Sequence, residues 1–544
     1  MRRRGWHRWW RAAVATLAAL GVTGCGATAA PSTGGTFRTV LYAPDTINPL
    51  VTQTAYGAAV ADLMFDSLVT VRPNLTFAPD LAERWQGSQE GKVWTFWLNP
   101  KARWWDGRPV TAQDVVFTYR LESNPASGYP WWLNDRETIA SVQALGPHEV
   151  RFTLIHPDGA FLANFAAQNT GNWILPQFLL GRLPVNQVAK SPYLNNPRDM
   201  VGTGPFEPIA YQPNQSITFR ANPRYFLGAP RVARLTVTFV AASTTVTAGI
   251  LRQAYDLVPE VPQGAERALL RDPAVTRAYR LARGLRLSYR YLAFNFRTVP
   301  ALRSRPLRWA LIQATDRSQI VAGILDGDAV VANGPVPPIS WAYDPHIAGA
   351  WPYSPSAARQ DLSRAGYHWN AAGKAVGPNG QPLALSLTVE GNEATLRDIA
   401  AAVQAEWGAI GVQVTVEVLP PPAFVHALES GQFQVALVGW GLTADPDQAA
   451  LFASNQVPPA GENFGGYDSP TVDRLLAEEE ASDSSAYRRT VFWAMQEAMV
   501  QDPPGVFLYF PDGYYAVARR VRGYVFDPAM PFYQPQRWAL ATHP

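Results

Sequence analysis

The chain has 544 residues, 47% hydrophobic and 16% charged, enough to bury large cores and too long for one of ordinary size. That composition excludes a disordered chain. The formal charge of +3 comes from the first stretch: without Arg2, Arg3, Arg4, Arg8 and Arg11 the 46 basic residues fall to 41 against 43 acidic ones, a net of −2, and nothing points to nucleic acid as a partner.

Those arginines precede Ala12–Val22, eleven residues without charge. This is the charged and apolar order of an export signal, too short to span a bilayer, where about 20 residues are needed. It ends at Val22-Thr23-Gly24-Cys25, which resembles a bacterial lipobox, and Cys25 is the single cysteine of the chain. We expect a signal peptide over 1–24, lipidation of Cys25 and a flexible tether over 25–36. The expected location is the cell envelope, at the outer face of the cytoplasmic membrane or in the periplasm.

Phe37–Leu41 reads as a strand. After the loop Ala43–Leu50 and Tyr56, which either contacts ligand or packs, Ala58–Leu68 has the apolar spacing of a helix. Val93–Leu98 is an aromatic, β-branched run typical of a half-buried strand. Ala102–Trp105 reads as a second, ending on the turn Asp106-Gly107. Thr111 with Asp114 forms a capping-box variant at a helix start. His148–Ile155 alternates as a strand, Asp158–Leu162 opens a helix, and 181–200 reads as surface loop. The glycines of Gly202-Thr203-Gly204-Pro205-Phe206 suit tight backbone turning, because no phosphate-loop pattern follows.

Further on, Tyr291–Asn295 is a strand, Leu302–Ala314 an amphipathic helix, and Ser354–Gly366 a helix with a Ser-Pro start and a Gly stop. Leu383–Val389, Ala394–Gly408 and Val412–Val418 then repeat strand, helix, strand, as in an α/β lobe. Phe433–Val438 runs apolar, like a buried parallel strand, and delivers Gly439-Trp440 to its carboxyl end, where ligands of open α/β sheets gather. Ala486–Val500 is a helix, and Gly505–Phe510 returns the chain to its first part.

Several of these words form an ordered set: Leu81-Ala82-Glu83-Arg84-Trp85, Trp94-Thr95-Phe96, Trp105–Ala112, Asp114–Phe117 and Gly202–Phe206. Together they resemble extracellular solute-binding protein family 5, the peptide- and nickel-binding components of ABC importers. The resemblance covers roughly residues 37–530 and implies an α/β chain with the type II periplasmic-binding-protein fold, two lobes hinged around a cleft. It divides the chain into a first lobe over 37–75, 201–288 and 511–544, an extra α/β subdomain over 76–200, and a second lobe over 289–510. It implies that Asn295 faces the cleft, that hinge closure captures the ligand, and that permease and ATPase subunits are partners of a monomer.

Two positions depart from the dipeptide binders of the family. Thr443 stands where their Asp holds the ligand amine, and Glu390 where their Arg holds its carboxylate. The segment Gly439–Asp447 instead resembles a subgroup that includes oligopeptide binders, which brings Asp445 and Asp447 forward beside Trp440 as ligand contacts. Asp445 serves equally well as a helix cap ahead of Pro446.

No catalytic motif is present. There is no GxSxG, HExxH, Walker or CxxC pattern, and the seven histidines have no short metal-ligand spacing, so neither enzyme activity, metal nor cofactor is expected. Two readings compete: a lipoprotein that hands an oligopeptide, oligosaccharide or metal chelate to a permease, and an extracytoplasmic sensor or chaperone with the same two lobes.

Overall fold

Strand Thr36–Tyr42 alternates its side chains between two cores: Phe37 and Leu41 face one, Val40 the other, and all three are buried. A strand covered on both faces belongs inside an α/β layer, and this one pairs in parallel with Arg234–Val240 and Leu257–Val258. The computed structural model describes residues 35–130, 138–165, 172–262, 264–391 and 393–541. The signal peptide, Cys25 and nearly all of the tether lie outside them. Residues 32–544 pack as one compact unit.

One sheet runs through that unit. In its second half Gln413–Leu419, Ala384–Glu390 and Val435–Gly441 are parallel neighbours, and Val435–Gly441 then pairs antiparallel with Ser288–Phe294. Gly505–Ala518, fourteen residues long, joins the halves. Its first part pairs with Ser288–Phe294 and its last with Tyr279–Leu285 and Leu257–Val258. The chain also crosses at Arg286-Leu287, between Tyr279–Leu285 and Ser288–Phe294. Two crossings joining two cored lobes give hinge geometry.

The first core continues into a four-stranded antiparallel sheet of Ala82–Ser88, Val93–Leu98, Glu149–Leu154 and Ile139–Gly146. Helix Ala112–Glu122 covers it. Tyr119, Phe152, Phe161 and Phe165 meet there edge to face at 4.4–5.8 Å between ring centres, with Phe161–Phe165 the shortest; such pairs add about 0.5–1.5 kcal/mol each beyond burial. The capping box forms as expected, with the Thr111 amide donating to Asp114 Oδ2 at 2.9 Å.

Three expectations need correction. Ala102–Trp105 is no strand. The chain reverses at Gly107 (φ +92°) so soon that only the bridge Arg103–Pro109 forms. Helix Ala55–Ala61 starts earlier than Ala58 because Thr54 caps it, and it stops seven residues before Leu68. Residues 181–200 are not loop throughout, since Val185–Val188 and Pro192–Asn195 are short helices that bury Val188 and Leu194. The turn at Gly202–Phe206 is as tight as expected, for a Cβ on Gly202 would lie 2.0 Å from Met64 O.

Candidate ligand-binding cleft

In an open α/β sheet the carboxyl ends of parallel strands leave backbone and side chains free to meet ligand. At that edge of the first lobe lies a cavity of about 270 Å³. Val40–Tyr42, Tyr56, Pro259 and Glu260 form one side, Arg286, Gly513 and Tyr514 the crossings, and Phe526–Pro531 the far wall. Three charged groups open on it. Arg286 Nη1 donates to Glu260 Oε1 at 2.8 Å, with both side chains 40% exposed. Asp527 accepts the amides of Ala529 and Met530 through Oδ1, at 2.8 and 3.1 Å, and its Oδ2 has no partner among the described residues. Burial pushes the Asp527 carboxyl up to about 7.

Tyr56 stands in this wall. Its hydroxyl donates to Glu260 Oε2 at 3.4 Å and its ring lies 5.3 Å from that of Tyr42. Desolvation, with the Glu260 carboxylate second, pushes its phenol up to about 12, so Tyr56 stays a neutral donor.

The second lobe presents its own strand ends. Trp440, half-buried, pairs with Tyr289 and stacks on Phe464 at 5.7 Å with 25° between rings. Its neighbour Gly439 lies opposite Arg290, and a Cβ there would sit 1.4 Å from Arg290 Nη1, so glycine makes room for the guanidinium. Arg290 is a loose 3.8 Å from Glu393. Arg286 and Arg290 are four residues apart across the hinge, at most about 14 Å.

The other expected residues sit elsewhere. Asn295 does not face the cleft. It follows the Phe294 end of a strand whose Tyr289 end reaches Trp440, about 20 Å away at 3.4 Å per residue. Fully buried, it donates to Gly431 O and Phe433 O at 3.0 and 2.8 Å and accepts from the Arg297 and Thr298 amides. It fixes a turn.

Asp445 is neither a helix cap nor open to ligand. Its two oxygens take Arg488 Nη1 and Nη2 at 2.7 and 2.8 Å, all buried. Arg488 also donates to Glu479 Oε2 and, at 2.9 Å, to Gly159 O in the subdomain. Asp447, one residue before the N-cap Gln448, accepts the Ala449 amide through Oδ1 at 2.8 Å ahead of helix Ala449–Phe452. Asp447 is exposed as a residue, but its carboxyl turns in toward Glu479, and desolvation raises it. Glu479, shut from water beside two further acids, is pushed up to about 9 despite Arg488 and keeps its proton at neutral pH. Asp445 is the partner that meets Arg488 through both of its oxygens.

The family model for bacterial extracellular solute-binding proteins, family 5 middle, matches residues 76–460. The chain belongs to that family. It is 27% identical over 512 residues to the oligopeptide-binding protein AppA of Bacillus subtilis, covering 92% of this chain and 90% of the relative. The solved structure of AppA with a nonapeptide aligns at TM-score 0.68 and 25% identity, over 94% of this chain and all of that one. NikZ of Campylobacter jejuni with Ni(L-His) gives TM-score 0.70 at 26% identity, over 93% of this chain and 99% of that one. The murein tripeptide binding protein MppA in its unliganded open form gives 0.81 at 20% identity, over 94% of this chain and 98% of that one. These likenesses give family 5 architecture to the two lobes.

The residues missed from sequence are Glu260, Arg286 and Asp527. Glu260 follows a two-residue strand, Leu257–Val258, whose end could have flagged it. The other two carry no local signal.

Proposed function

We propose that this family 5 protein captures an extended peptide between its lobes and hands it unaltered to an ABC permease and its ATPase. The cavity at the hinge carries the reading. Within an apolar frame of Val40, Tyr42, Tyr56 and Pro259 it holds two carboxyls and one guanidinium, the charges a peptide's own ends and amides call for. Asp527 and Glu260 are placed to meet the ligand amine and Arg286 a carboxylate. Trp440 supplies an apolar face across the cleft. An extended peptide also offers backbone groups for strand-like pairing, which gives affinity with loose sequence preference. Lipidation at Cys25 holds the body at the membrane.

Calorimetry on a peptide series and its N-acetylated counterparts tests the ligand class. Removing one partner of a buried charged contact costs about 2–5 kcal/mol, so acetylation is expected to weaken binding at least thirtyfold. Binding of a sugar or a nickel chelate with no peptide bound would overturn the reading. Among the described residues no group of three His, Cys, Asp or Glu has the geometry to hold a metal ion.

A further inference from the structure

The sheet of the first lobe has two edges. One opens on the cavity; at the other, strand Thr36–Tyr42 begins. Register gathers basic side chains along this second edge. Thr36 lies beside Arg234, Arg38 beside Asp256, and Tyr279 beside Ala518. Arg277 and Arg280 therefore flank one strand end, and Arg519 and Arg520 follow the next. Six arginines span five neighbouring strands, roughly 20 Å at about 4.8 Å per strand. All are exposed except Arg520, which is partly so.

Few acids answer them. Asp256, fully buried, serves both Arg38 and Arg520, the latter at 2.7 Å. Arg519 donates to the Thr276 carbonyl at 2.9 Å, and Asp272 caps the far end of helix Pro273–Ala278. Arg234, Arg277 and Arg280 have no ion-pair partner among the described residues. In a chain whose net charge beyond the amino-terminal arginines is −2, this is a local concentration of one sign.

The chain also enters the fold here. Gly35 sits beside Leu540 at the start of the first strand, and ten residues reaching at most about 35 Å separate Cys25 from it. We propose that this arginine edge rests on an anionic phospholipid surface. Guanidinium groups pair bidentately with phosphate oxygens, and a cluster of basic side chains is drawn to an anionic lipid surface. In this pose the first lobe sits on the bilayer and the second is outermost. The inference needs no acyl group on Cys25, so it stands or falls apart from the peptide reading and from lipidation.

The test uses the compact unit from Ser32 on, without acyl chains, sedimented with vesicles of phosphatidylcholine alone or with about one-third phosphatidylglycerol. Binding is expected only to the anionic vesicles, and is lost when salt rises to about 0.5 M and the Debye length falls to about 4 Å. At about 1 kcal/mol per arginine, roughly fivefold each, Arg234→Gln, Arg277→Gln and Arg280→Gln together weaken it about a hundredfold. A control with Arg397→Gln, Arg474→Gln and Arg489→Gln in the second lobe leaves it unchanged. Equal partition into both vesicles, no binding to either, equal damage by the control, or binding to soluble polyphosphate but not to vesicles would each overturn the proposal.

Discussion

Asp527 is the acid of the cavity whose ionisation ligand should control. Burial holds it near 7, above an ordinary aspartate, so part of the population is protonated at neutral pH and must lose that proton to meet an ammonium group. Affinity for a free-amine peptide is therefore expected to rise about tenfold per unit as pH increases toward 7 and to level off above it. Asp527→Asn should flatten that profile, which calorimetry between about pH 5.5 and 8 will show. Arg488 makes the opposite kind of contact. Arg488→Met leaves the Asp445 carboxylate buried without its cation, and a loss of about 3–5 kcal/mol in urea unfolding is expected. Asp445→Asn should leave the free-amine preference of the ligand intact, because Asp445 already faces Arg488.

The loop that carries Gly159 ties the subdomain to the second lobe. Its amide donates to Glu480 O at 2.7 Å, and a Cβ would lie 2.1 Å from Ser482 O. Asp158 beside it is pushed up to about 7, by burial first and then by Asp445, Glu480 and Asp447. A carboxyl raised in the docked state favours docking while protonated. The contact is therefore complete below about pH 4 and weakens as pH climbs to about 7. Amide hydrogen exchange at Gly159, corrected for the intrinsic rate, should lose protection over that window, and Gly159→Ala should lose it at every pH. Protection independent of pH would remove Asp158 from the contact. Elements of this kind differ in how far sequence shows them. Val93–Leu98 and the cap at Thr111 are legible because strand composition and capping are local. The same holds for helix Pro355–Arg364, with Ser354 as cap and Gly366 at φ +89°. Glu260, Arg286 and Asp527 come from three distant stretches, and only strand order brings them to one wall. Asn295 shows the reverse: its strand is predictable, but which end meets the cleft depends on antiparallel pairing with Val435–Gly441.

At the scale of the whole molecule, the long strand Gly505–Ala518 and the crossing at Arg286-Leu287 leave each lobe its own core and join them by two segments. Ligand that contacts both walls stabilises the closed arrangement by its differential affinity alone. Small-angle scattering with and without a saturating peptide tests this most directly. A smaller radius of gyration is expected on saturation, with the peptide recovered intact. A peptide bound by calorimetry with an unchanged scattering curve, or recovered cleaved, would contradict it.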